Sequence, residues 1–298
     1  MAESRVGPVW DFGPAVYELE PGGSKFCILR GRRFNPFFAL AEASWVLAGD
    51  NRLAPLEFYL PRFREFSDDG VVLEGAYGFR LRRAYGRDQL QEAAELLAAD
   101  ASSRRVVLST WGVEDLGRSS RDIPCNTTVY FKIREQRLDM MVCNRSNDAY
   151  LGVPYNVVTF AILQAYVATA VGVGIGRQTH VTDSLHLYER DRSKVEEIVR
   201  SNDDGDIERI VEKVPLADLE AYSRLDHAVL TRDYSKVIEG CGLCLSVRNS
   251  FIAWKAGMLG RAVSELPPSD VSISAVEWFS KSRRFVKGWI PGWATMWF

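Results

Sequence analysis

The chain has 298 residues, 47% hydrophobic and 26% charged, with a formal net charge of −2, enough apolar material for one large core or two modest ones. So small a charge exerts no long-range pull on polyanions, which argues against DNA or RNA as partner and leaves local arginine clusters to hold any phosphate. Free nucleotides fit better. The first residues, Met1-Ala2-Glu3-Ser4-Arg5-Val6-Gly7-Pro8, carry no apolar signal stretch, and Cys27, Cys125, Cys143, Cys241 and Cys244 have no disulfide-framework spacing, so reduced thiols and a cytoplasmic address are expected.

In chain order, a helix is expected over 36–48, stopped by Gly49, and another over 87–99, where Leu90, Ala93, Ala94, Leu96 and Leu97 form one apolar stripe. Residues 105–111, 127–133 and 138–143 read as strands, the last two joined by a polar turn at Arg134-Glu135-Gln136. The apolar run 155–172 approaches the length of a membrane span, but Asn156, Gln164 and two threonines interrupt it; a buried helix is the reading, with no membrane involved. Near residue 200, Ser201-Asn202-Asp203-Asp204-Gly205-Asp206 marks a loop, followed by helices to about 265, a Pro267-Pro268 break and a tryptophan-rich tail. The fold class expected is α+β: a single domain over 1–298, with a core at about 30–200 and a helical C-terminal part at 201–298.

Cys125 follows Pro124 in a turn just before a strand, a rigid and exposed position for a nucleophile, whereas Cys143 alternates within an apolar strand and reads as buried filler. Beyond it stand Arg145-Ser146-Asn147-Asp148 and Leu151-Gly152-Val153-Pro154-Tyr155-Asn156, then His180 and His186-Leu187-Tyr188. An arginine fork with a serine hydroxyl suits a phosphate, and a carboxamide offers one donor and one acceptor to a base edge. Cys241-Gly242-Leu243-Cys244 is a single pair without second ligands, so no metal site is expected.

Taken together these motifs resemble the thymidylate synthase family, which includes thymidylate synthases and pyrimidine nucleotide hydroxymethylases. The resemblance covers about 30–200 and implies a mixed sheet packed with helices. It implies that Cys125 attacks C6 of a pyrimidine, that Arg145 and Ser146 bind the 5′-phosphate, and that Asn156 reads the base. Asp148 would hold the folate pterin, and His186 and Tyr188 the sugar hydroxyl. Arg104 and Arg105 match a pair that reaches the phosphate in a neighbouring subunit, so a homodimer is implied. Glu42 would organise the water that shuttles protons, and Tyr77 would help remove the C5 proton. The co-substrate would be 5,10-methylenetetrahydrofolate.

Several positions depart from the family pattern. Phe63 and Phe66 stand where synthases place tryptophans against base and folate; Asn126 replaces a histidine and Tyr130 a glutamine, both expected near the base. Smaller rings leave room for water beside the reactive methylene. The reading is therefore C5 hydroxymethylation of dUMP or dCMP, with uracil favoured by Asn156. A divergent thymidylate synthase, a CMP hydroxymethylase and a nucleotide-binding protein without folate chemistry are the alternatives.

Overall fold

The computed structural model describes residues 2–4, 6–202, 243–255, 266 and 268–280. Its sheet has seven strands: β1 (Ala2–Ser4), β2 (Gly7–Asp11), β3 (Ala15–Leu19), β4 (Val107–Ser109), β5 (Asn126–Arg134), β6 (Arg137–Asp148) and β7 (Gly174–Tyr188). They lie in the order β1-β2-β7-β6-β5-β4, with β3 also paired to β7. All pairs are antiparallel except β6 with β7.

The expected hairpin is β5–β6. Arg134 pairs with Arg137, and Glu135 and Gln136 between them have φ of 48° and 60°. A two-residue turn matching the twist of its strands needs positive φ at both central positions. Both strands extend beyond their apolar runs, and β6 carries Arg145, Ser146 and Asp148 as strand residues. The strand expected over 105–111 is confined to Val107–Ser109, because Thr110 and Trp111 both turn their N–H groups to Thr127 O as the chain leaves the ladder.

Parallel neighbours need a crossover. Here it is the long apolar helix at Val153–Val171, which starts with Pro154 in its first turn and ends at Gly172 in the left-handed conformation (φ 81°). It is long and apolar enough to cross a membrane, yet 61% of its apolar window is buried against protein. We call it α3. Helix α1 (Pro36–Leu47) lies against it, capped by Asn35, whose side chain accepts from Phe38 N–H. Helix α2 (Gln89–Ala99) starts at the Asp88 cap and buries Leu90, Ala93 and Leu97, while Ala94 and Leu96 are only partly covered.

Helix α4 (Arg192–Arg200) follows β7, and α5 (Leu243–Lys255) and α6 (Asp270–Ser280) pack aromatic rings on α1. Phe37 lies 5.0 Å from Phe251 and 4.8 Å from Phe279. Cys241, the Cys244 side chain and the tail from 281 lie outside the described residues.

The helices cover one face of the sheet. On the other, Val107, Tyr130 and Met141 form a cross-strand row and are 50%, 36% and 36% exposed. Cys143 alternates with Met141 on this face and is half-buried, so it is not the core filler expected from its apolar neighbours. Tyr130 likewise faces away from Asn126, which is fully buried; regular alternation would put both on one face, and the register shift between Asn126 and Thr128 separates these two positions expected near the base.

Candidate active site

Cys125 closes the loop that feeds β5. Its sulfur is half-buried and in no disulfide. Across the ladder, Arg145 N–H donates to Cys125 O at 2.9 Å. The Arg145 guanidinium donates to Pro124 O (2.9 Å) and Ile123 O (3.1 Å), and its Nη2 stands 3.8 Å from Cys125 Sγ. The Trp111 ring lies beneath it at 5.7 Å. One cation thus ties down the Cys125 loop and supplies a donor beside the sulfur. With five donors in its fork, the exposed Arg145 can also face an anion.

The parallel register of β6 and β7 sets the next contacts, pairing Ser146 with Ser184 and Asp148 with His186. Ser146 Oγ comes within 3.2 Å of His186 Nδ1, and His186 meets the Tyr188 ring edge-on at 5.3 Å. Ser184 donates to Asp11 at 2.9 Å. The Gly13 N–H, then Ser184 and the nearby His186, hold that carboxyl below the usual range. Asp148 Oδ1 accepts from Tyr150 and Leu151 N–H at 2.8 and 3.0 Å. It therefore braces the turn into α3 while burial pushes its carboxyl up.

Glu42 sits mid-way along α1 and is half-buried. Burial pushes its carboxyl up to about 7, opposed only by a 3.3 Å bond from Thr159 on α3. Tyr77 opens a short helical turn brought against α1 by Gly78, where a Cβ would sit 2.1 Å from Val46 O. No larger residue lets that turn approach. Burial, reinforced by Cys125, Asp122 and Glu42, keeps the Tyr77 phenol protonated, and it receives the Asn126 backbone N–H. Asp122, which accepts from Gly75 N–H at 2.7 Å, is pushed up to about 6 by burial. Arg80, three residues past Tyr77, forms a buried pair with Asp115 (2.5 and 2.9 Å) that pins the same turn to the loop after β4. Burial alone would raise Asp115, but its bonds to Arg80 and Gly112 outweigh that and hold it below the usual range.

Phe63 and Phe66 occupy the short helix Pro61–Phe66 and continue an aromatic wall: Phe66 to Phe63 at 5.4 Å, Phe63 to Phe38 at 5.2 Å, Phe38 to Tyr155 at 5.3 Å. Phe66 is 40% exposed, a free face for a flat ring. Asn156, in the first turn of α3, donates from Nδ2 to Asn147 Oδ1 at 3.2 Å. The Asn126 carboxamide is fully buried and finds no protein partner among the described residues at either end. Arg104 and Arg105 stand exposed before β4, and neither bonds to the residues around Cys125 among the described contacts.

The structure therefore brings Cys125, Arg145, Tyr77 and Glu42 to one place and Ser146, His186 and Tyr188 beside it. It adds Trp111, Asp122, Asn147 and Thr159, which sequence reasoning passed over. Asp122 alone had a signal there, a carboxylate three residues before Cys125.

A family model for thymidylate synthase matches residues 14–229. The chain belongs to the thymidylate synthase family. Among curated proteins it is 41% identical over 198 residues to a deoxyuridylate hydroxymethyltransferase of Pseudomonas phage M6, covering 65% of this chain and 56% of that one. Proteins of the same name from Bacillus phage SP01 (35% over 188 residues; 59% and 49% covered) and Delftia phage PhiW-14 (36% over 187; 58% and 51%) are also similar. The chain thus spans about half the length of the curated relatives it matches. Among solved structures, the thymidylate synthase of T4 phage aligns with a TM-score of 0.56 at 21% identity, over 66% of this chain and 74% of that one, which supports the α+β fold of the family.

Proposed function

We propose that this family member hydroxymethylates C5 of a pyrimidine nucleoside 5′-monophosphate, dUMP before dCMP, with 5,10-methylenetetrahydrofolate as co-substrate. The observation that carries the reading is the Tyr77 phenol, which feels both the Cys125 sulfur and the Glu42 carboxyl: thiol, phenol and a carboxyl near neutrality lie close together. The names of the relatives point the same way.

In this reading the Cys125 thiolate adds to C6 of the base, beside the Arg145 guanidinium, and C5 becomes nucleophilic. The folate supplies a methylene to C5, and the aromatic wall from Phe66 to Tyr155 offers it a stacking face. Tyr77 and Glu42 handle the C5 proton, Glu42 being near neutrality and so able to give or take it; loss of that proton breaks the bond from the methylene carbon to the folate nitrogen, which departs protonated as tetrahydrofolate and so leaves an exocyclic CH2 on C5. Water then adds to the exocyclic CH2, its π pair moving onto C5, C4 and O4. Re-forming C5=C6 expels Cys125, and the proton from water passes to Glu42. Arg145 and Ser146 hold the phosphate, His186 and Tyr188 the sugar, Asn156 the base; Asp148 serves the pterin side. No metal is needed.

The whole chain works as one catalytic domain, and the reaction, drawing on free nucleotide and folate, is cytoplasmic. The open sheet face with Val107, Tyr130 and Met141 fits a second copy, so that Arg104 and Arg105 reach the partner's phosphate site. Mixing two inactive variants, Cys125→Ser and Arg104→Ala/Arg105→Ala, then restores activity by forming one intact site per dimer.

The direct test is incubation with methylenetetrahydrofolate and dUMP, dCMP, UMP or CMP, reading products by mass spectrometry and dihydrofolate by absorbance. Hydroxymethyl-dUMP without dihydrofolate is expected. Dihydrofolate rising in step with a methylated product would make the enzyme a divergent thymidylate synthase.

A further inference from the structure

Uracil presents an acceptor at position 4 and a protonated N3; cytosine presents a donor at 4 and an acceptor at N3. A carboxamide reads either one simply by turning over. An asparagine base reader therefore discriminates only if turning over is costly.

In this molecule it is. Asn156 Nδ2 donates to Asn147 Oδ1 (3.2 Å), and Asn147 Nδ2 donates to the Tyr17 hydroxyl (3.1 Å). If Asn156 turned alone, its oxygen would face the Asn147 oxygen, which would lose its donor. Asn147 would have to turn with it, and the Tyr17 proton swing as well. Neither residue is loose. Asn147 is 3% exposed, and a Cβ on Gly152 would lie 2.4 Å from its Oδ1. Gly152 has an ordinary φ of −85°, so the glycine is there for space, taken first by the Asn147 oxygen and then by the Asp148 carbonyl at 2.9 Å. Tyr17, on β3, lies flat against buried His180 with ring centroids 4.9 Å apart.

We infer that Asn147 is a positioning residue for base choice, fixing through Gly152 and Tyr17 which end of the Asn156 carboxamide is its nitrogen. The inference rests on the proposed role of Asn156 as base reader. It assigns the dUMP preference to a relay drawn from β3, β6 and α3 rather than to Asn156 alone.

The test compares dUMP with dCMP, as the ratio of kcat/KM for hydroxymethylation and as the ratio of Kd by calorimetry, so that base choice is read even if the chemistry differs from the one proposed. Asn147→Ala lowers the dUMP preference by about tenfold or more, because either orientation of Asn156 then leaves the same groups unpaired. Asn147→Asp, an acceptor only, keeps the preference, and Gly152→Ala, which displaces the Asn147 oxygen, loses it. Should Asn147→Ala fold poorly, Asn147→Ser gives the same comparison with less lost volume. A preference unchanged in the Ala and Ser variants, or lost equally in the Asp variant, overturns the inference. A wild type that shows a base preference in Kd but releases no C5 tritium from either nucleotide would refute the proposed reaction and leave the relay standing.

Discussion

Two regions of the site are built on opposite principles. The rim, with Cys125, Arg145, Ser146 and His186, is carried by the loop that feeds β5 and by strands β6 and β7, and works with open, hydrogen-bonded donors. The wall, with Glu42 and Tyr77, is carried by α1 and the turn against it and works by exclusion of water, which keeps the Tyr77 phenol protonated and moves the Glu42 carboxyl to about 7. Rim residues owe their chemistry to named partners, wall residues to what is kept away from them. Substitutions should therefore fail differently in the two places.

The largest effect is expected at the rim. Cys125→Ser should reduce tritium release from C5-labelled dUMP by on the order of a thousandfold or more, while nucleotide affinity by calorimetry changes little. Exchange near the wild-type rate would mean that another group is the nucleophile.

At the wall, Glu42→Gln should lower kcat by about a hundredfold and flatten the pH–rate profile near 7. It also carries a stability signature. A carboxyl at about 7 in the folded chain, against the ordinary 4.5 of a free glutamate, keeps its proton where the unfolded chain has lost it, so native stability declines as pH rises from 4.5 to 7. Glu42→Gln removes that decline and should gain up to about 3 kcal/mol over wild type at pH 8 relative to pH 4. Urea melts at the two pH values measure it, and equal shifts at both would contradict the desolvated carboxyl.

Back at the rim, Arg145→Lys should raise KM for the nucleotide about tenfold and lower kcat less, since a single ammonium cannot bond Ile123 O and Pro124 O and still fork a phosphate. Smallest of all is Phe66→Trp, which narrows the cleft beside the aromatic wall. A minor fraction of methylated product with matching dihydrofolate is expected, and none at all would remove ring size as the reason water reaches the methylene.

Much of the rim was legible in the residues themselves. Pro124-Cys125 and Arg145-Ser146 stand in motifs with fixed spacing, and the hairpin between them follows from two apolar runs around a polar turn. What hid was the length of β6: Asn144 to Asp148 has no hydrophobic alternation, because it is paired on β7 with another polar stretch and serves the site. Asn147 and Tyr17 could not be connected by reading along the chain, since β3 reaches them only through β7. The opposite faces taken by Asn126 and Tyr130 were misjudged because a register shift in β5 lies between them. Thr159 was hidden inside an apolar helix, where its one polar atom looked like an interruption and proved to be the bond to Glu42.

The parallel alignment of β6 with β7 has a consequence for folding as well. Ser146 and His186 are forty positions apart and meet only at one alignment of the two strands; displacement by a single residue would send one of them to the far side of the sheet. In the binding mode proposed above, a nucleotide gripped by phosphate on one strand and by sugar on the other would act as a gauge pin across that seam. Amide protons along Ser146–Asp148 and Ser184–His186 should then exchange more slowly when substrate is present, so that the ligand certifies the fold that recognises it.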